Sequence, residues 1–202
     1  MAVYTTIDKP TDYFDVKLHS GNATSKTLAF DFEVDFYWTK MRNDVYNHLL
    51  FDSSRGANKI LYADLTATEA TGPNTVTFGN SSGITLGTDS SNHGSNKAQT
   101  DAGATATYVG WGWKANGGTR TTFTESGNNP GGGHQANTTA GFSIIDYTGT
   151  GADGTVAHGL GVAPKCIIIK RRNDTENWIV GHDGIVMRTG RLQLDTTSAN
   201  AI

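Results

Sequence analysis

The chain has 202 residues, one cysteine and a formal net charge of −3 at pH 7. A lone cysteine builds neither a disulfide framework nor a thiolate metal site, a pI near 6.0 leaves no basic footprint for nucleic acid, and no apolar run reaches the length of a membrane-spanning helix. With 25 glycines and only 36% hydrophobic residues, the aromatics falling between Gly and Thr/Ser/Asn tracts, the composition suits many short strands joined by turns.

Residues 1–14 read as a polar N-terminal attachment arm, too short for a core of its own, with Tyr4, Ile7, Tyr13 and Phe14 as candidate contacts to another chain. Asp8-Lys9-Pro10 is a turn signal, and Thr11 is placed to cap one short helical turn. The opening Met1 to Pro10 has neither the basic start nor the apolar core of a secretory signal. Phe14, Val16 and Leu18 then alternate with Asp15 and Lys17, the period-2 pattern of a half-buried strand.

Strands are predicted over Thr27–Phe32 and Phe36–Thr39, and Val45–Phe51 closes a hairpin before the turn Asp52-Ser-Ser-Arg-Gly56. Lys59–Tyr62 is a further strand, whereas Leu65–Ala70 satisfies neither helix nor strand rules cleanly. Val76–Phe78 and Ile84–Leu86 flank a five-residue hairpin connection, Gly79 to Gly83. Asp89–Ala104 is expected to be a long exposed loop. Thr105–Trp113 alternates best of all, and its two tryptophans, Trp111 and Trp113, are expected on the core face. Residues 15–116 thus form a predicted β-sandwich module. Residues 117–140, with Pro130-Gly-Gly-Gly133 at their centre, read as a Gly-rich loop or linker, and residues 141–202 as a second, partial β module.

The second module contains a copy of part of the first. Val34–Asp44 aligns without a gap to Pro164–Asp174, at a constant offset of 130. Lys40/Lys170, Arg42/Arg172, Asn43/Asn173, Asp44/Asp174 and Asn47/Asn177 coincide, and Arg191–Ala199 parallels Ile60–Ala67. Cys166–Ile169 reads as a buried strand with Pro164 at its start and Cys166 as a small core residue. Lys170–Asn177 is a polar turn and Trp178–Val180 the returning strand. The copy has no counterpart of the Trp111-x-Trp113 strand. It is therefore expected to take strands from a partner chain or from sequence beyond Ile202.

Catalytic signatures are weak. The six histidines show no HExxH or Cys/His spacing, and Gly131–Gly133 lacks the Lys-Ser/Thr of a phosphate cradle. Asp31, Glu33 and Asp35 alternate on one face of a possible strand, which reads as a solvated edge and not as a paired-carboxylate site. The expectation is a protein that is not an enzyme and needs no cofactor or metal.

Asp35-Phe-Tyr-Trp38, His48-Leu-Leu-Phe-Asp-Ser-Ser-Arg-Gly56, Tyr108-Val-Gly-Trp-Gly-Trp-Lys114 and His158-Gly-Leu-Gly-Val-Ala-Pro-Lys165, in that order, resemble tail-fibre-like virion structural proteins of marine and cyanobacterial tailed bacteriophages. The resemblance implies an all-β, antiparallel β-sandwich of the concanavalin-A-like or jelly-roll type with long Gly/Ser/Asn-rich loops. It implies a non-enzymatic tail fibre or fibre-base component of the virion, acting in host attachment. Other virion proteins are the implied partners, together with identical copies, in a trimer by likeness to fibre proteins. A capsid decoration protein is the first alternative. The second is a carbohydrate-binding module for a host surface glycan, with Trp38, Tyr46 and Trp178 as stacking platforms.

Overall fold

The structure, a computed structural model, describes residues 7–184 and 190–197. One 3-10 turn, Pro10–Asp12, precedes fifteen strands: β1 (Phe14–Ser20), β2 (Lys26–Ala29), β3 (Phe36–Met41), β4 (Leu49–Asp52), β5 (Lys59–Tyr62), β6 (Ala70–Thr71), β7 (Val76–Asn80), β8 (Gly83–Leu86), β9 (Thr107–Trp113), β10 (Thr121–Phe123), β11 (Gly132–Asn137), β12 (Phe142–Tyr147), β13 (Cys166–Ile169), β14 (Ile179–His182) and β15 (Leu192–Gln193). The turn rests on Pro10, whose fixed φ suits its first position, and its cap residue is Lys9, which makes no side-chain capping bond, not Thr11.

The fold is an all-β antiparallel sandwich. A six-stranded sheet, β1-β9-β3-β4-β5-β6, packs on a three-stranded sheet, β2-β8-β7, and two more three-stranded sheets, β10-β11-β12 and β13-β14-β15, follow in the chain. Phe30, Phe32, Val34, Tyr37, Leu49, Phe51, Ile60, Val76, Ile84 and Leu86 fill the space between the first two sheets. Their burial is the main favourable term holding the layers together.

The strand β9 alternates as its sequence requires, but the faces are the reverse of those expected. Tyr108, Gly110 and Gly112 are buried, and Trp111 and Trp113 are only half-buried on the other side. The glycines explain the choice. A Cβ on Gly110 would overlap the Tyr37 hydroxyl, and one on Gly112 would come within 2.6 Å of the Phe30 ring, so core aromatics already occupy that space.

Three further expectations are corrected. Asp89–Ala104 is a loop exposed only in part: residues 90–92 and 101–104 are exposed, but Asp89, Ser95, Asn96 and Thr100 are buried, because Asp89 accepts the amides of His93, Gly94 and Ser95 while Asn96 donates to the Thr24 and Gly87 carbonyls. Within the Gly-rich stretch, β10 and β11 are strands, and β11 pairs with β12 of the following module. The Arg120 guanidinium lies over Gly133, in the space a Cβ would take, while it pairs with both Asp146 oxygens. Lastly, Asp31, Glu33 and Asp35 share no strand face: Asp31 is exposed, Glu33 is half-buried and Asp35 is wholly buried.

The duplication is structural. The pairing of β3 with β4 recurs 130 residues later as β13 with β14, and that of β4 with β5 recurs as β14 with β15, one residue having been inserted before β15. The turns match in detail. Lys40 Nζ donates to the carbonyls of Met41 and Asp44, and Lys170 Nζ to those of Arg171 and Asp174. Asp44 and Asp174 each accept the amide of the next residue.

The surroundings of the two copies differ. Cys166–Ile169 is exposed along its whole length, contrary to the buried strand read from its apolar run, because among the described residues no second layer covers it as β2, β8 and β7 cover the first copy.

Candidate functional site

The outward face of the six-stranded sheet carries three rows of side chains fixed by strand register. Phe14, Trp113 and Phe36 form one row; Val16, Trp111, Trp38, Leu50 and Leu61 the next; Leu18, Val109 and Lys40 the third. The aromatics interlock: Phe14 lies 4.8 Å from Trp113 between ring centroids, Phe36 lies 5.3 Å from Trp113, and Trp38 meets Trp111 edge-on at 6.1 Å. Such tilted contacts are the favoured geometry for aromatic pairs.

Two later elements cover part of this face. Phe142, at the start of β12, stacks on Trp113 at 6.1 Å and 21°. Trp178, preceding β14, is 5% exposed among Leu50, Leu61 and Ala63, and its Nε1 donates to the Tyr62 carbonyl at 2.7 Å. Around Trp178, Glu69 and Arg172 exchange a backbone bond and an ion pair, and Arg55, itself buried, joins Glu69 to Asp52. The β1–β9 half of the face stays open, with Phe14 36%, Val16 41% and Leu18 66% exposed beside half-buried Val109 and Trp111.

These positions settle where the candidate residues lie. Trp178 is enclosed and has no ring face for a sugar, which corrects its reading as a stacking platform. Tyr46 is half-buried, with Lys97 Nζ 4.5 Å over its ring and its hydroxyl donating to Asp101. Trp38 is half-buried beside the Trp178 cluster, at the border of the open half, its Nε1 donating 3.0 Å to His48 Nδ1. Of the candidate inter-chain residues, Phe14 is on the open face, Tyr13 is half-buried beneath Lys114, Ile7 is half-buried, and Tyr4 lies outside the described residues.

Asp35 is the polar centre that the sequence did not announce. Its Oδ1 accepts from Ser53 Oγ and the Gly118 amide, both at 2.8 Å, and its Oδ2 from the amides of Ala115 at 2.7 Å and Gly117 at 3.0 Å. Gly117 and Gly118 have φ of +59° and +74°, a left-handed pair open to glycine that points successive amides at one anion. Gln135, wholly buried on β11, donates to Ser53 Oγ and Ser54 Oγ and ties the third sheet to the same centre. Among the described residues no three His, Cys, Asp or Glu side chains gather where they can hold a metal ion.

Two histidines flank the sheet. His48 accepts the Trp38 bond at Nδ1, and burial, aided by Lys40, holds its pKa below the usual histidine range despite Asp64. His19 stacks on Tyr108 at 5.0 Å, and burial, with Lys26 assisting, pushes its pKa down to about 4. A histidine depressed in the folded state binds a proton more readily when unfolded. Its stabilisation is therefore complete above pH 6.5 and is lost as pH falls toward 4. Urea midpoints should fall between pH 7 and pH 4, and the fall should shrink in His19→Gln. An unchanged pH profile in that variant would remove His19 as its source.

A family model described as a domain of unknown function, DUF7483, matches residues 9–202. No curated protein and no solved structure matches the chain.

Proposed function

We propose a non-enzymatic structural role for this chain, which belongs to the DUF7483 family: a component of a bacteriophage virion, in a tail fibre or fibre base, that works in attachment to the host. The observation that carries the reading is the uncovered half of the six-stranded sheet, where Phe14, Val16 and Leu18 stand in solvent beside Trp111 and Val109. Contiguous apolar surface of this kind marks a contact with another macromolecule. The ordered motifs from Asp35 to Lys165 supply the virion context by their resemblance to tail-fibre-like proteins.

A glycan-binding module is the second reading, favoured by the half-buried Trp38 and Trp111 at the border of the open face. A capsid decoration protein would use the same face and differ only in where it sits.

Gold-labelled antibody on intact particles, viewed by electron microscopy, separates the readings. Label at the tail tip or fibres is the expected result, label over the capsid indicates decoration, and particles without label overturn the virion role. Binding on a glycan array that is lost in Trp111→Ala would establish the second reading.

A further inference from the structure

The second copy of the β-unit repeats the first strand for strand but leaves one edge open. In the first copy, Arg42 N–H donates to the Thr107 carbonyl at 2.7 Å. The two-residue period of an antiparallel ladder therefore directs the backbone groups of Lys40 and Trp38 toward β9. In the second copy, Asp183 N–H donates to the Lys165 carbonyl at 3.0 Å, so Ile167 and Ile169 bond β14 while Cys166, Ile168 and Lys170 face away from it. Ile168 and Lys170 are the counterparts of Trp38 and Lys40. Among the described residues, no strand occupies the place of β9 beside them.

Exposed edges are commonly guarded against pairing, and β1 is guarded. By the same period its outward groups belong to Phe14, Val16, Leu18 and Ser20, since the Lys114 amide bonds the Tyr13 carbonyl. There Asp15 Oδ1 takes the Val16 amide at 2.7 Å, and Lys26 Nζ takes the Ser20 carbonyl. Among the described residues, strand β13 has no such guard. Lys165 pairs with Asp183, Lys170 turns back to its own loop carbonyls, and Arg171 pairs with Asp174, so the flanking charges are held within the unit. What remains is Ile167, Ile168 and Ile169, 36%, 49% and 41% exposed.

We propose that β13 pairs antiparallel with β13 of a second copy of this chain, about a two-fold axis at Ile168. That register sets Ile168 against Ile168, Ile167 against Ile169 and Cys166 against Lys170, so each central pair is isoleucine on isoleucine. The sheet β13-β14-β15 becomes six strands, and the edge filled by β9 in the first copy is filled by an identical strand. A two-fold contact needs only one self-complementary patch. The proposal stands on the duplication and the edge geometry, independently of the virion role. Four-residue strands bury little area, so the dimer is expected to be reversible.

Sedimentation velocity from about 1 to about 200 µM, the range in which a weak contact saturates, should show a monomer–dimer equilibrium. Ile168→Pro removes only an outward amide, a substitution an edge strand tolerates. It should leave the β-sheet circular dichroism and the buried Trp178 emission unchanged and abolish the dimer. In a second test, the double variant Cys166→Ser/Ile168→Cys should form an intermolecular disulfide under mild oxidation, and the wild-type chain, whose one thiol is Cys166, should not. A monomer at every concentration, a trimer, a dimer retained by folded Ile168→Pro, or a disulfide that forms in the wild-type chain and not in the double variant would each overturn the pairing. Should Ile168→Pro fail to fold, the disulfide test decides alone.

Discussion

Trp178→Ala is expected to destabilise the protein by about 3–5 kcal/mol, the range for deleting a buried aromatic ring, and to loosen the β13–β15 unit from the six-stranded sheet. The ring fills the space over Leu50, Leu61 and Ala63, and its indole N–H satisfies the Tyr62 carbonyl, so the change leaves both a cavity and an unpaired acceptor. Trp111→Ala should cost less, because that ring is only half-buried. Urea denaturation of the two variants measures the contrast, and limited proteolysis across Arg171–Glu176 reports the loosening. A Trp178→Ala midpoint corresponding to a loss within about 0.5 kcal/mol, the scale of a surface change, would mean that the second unit is not anchored there.

Asp35→Ala should cost a similar amount, roughly 3–5 kcal/mol: a bond to a charged acceptor contributes about 1.5–3 kcal/mol, the Ala115 amide is left buried and unpaired, and the amides of the exposed Gly117 and Gly118 recover part of their loss from water. The amides of Ala115, Gly117 and Gly118 lose their acceptor, and Ser53, which also receives Gln135, loses its orientation. The damage should spread to β11 through Gln135, so amide exchange in 115–118 and 132–137 should quicken together. Asp35→Asn keeps one acceptor oxygen and should fall between the two. Exchange confined to 115–118 would show that Gln135 is held independently of Asp35.

The strands are largely legible in the sequence because alternation is a local property, and the repeat is legible because Lys170, Arg172, Asn173 and Asp174 stand at the same spacing as their counterparts. Period 2 states which side chains share a face without stating which face is inside. On β9 that is decided by Tyr37 and Phe30, which take the space beside Gly110 and Gly112. Burial of Cys166–Ile169 depends on a covering layer, and an apolar run cannot report whether its neighbour exists. The role of Asp35 depends on residues about eighty positions away, joined by turn geometry that no local pattern records. Of the open face, alternation identifies Phe14, Val16 and Leu18 as a set and leaves their exposure to be found.

A structural component of a particle is present in fixed copy number, whereas a host-derived contaminant or a product made only during infection is not. Quantitative mass spectrometry of gradient-purified particles, calibrated with labelled peptides from this chain, measures that number against the major capsid protein. The expected result is a constant ratio of several copies per particle across gradient fractions and independent preparations. A chain abundant in infected cells but missing from purified particles, or present at a ratio that drifts with purity, would contradict the structural role.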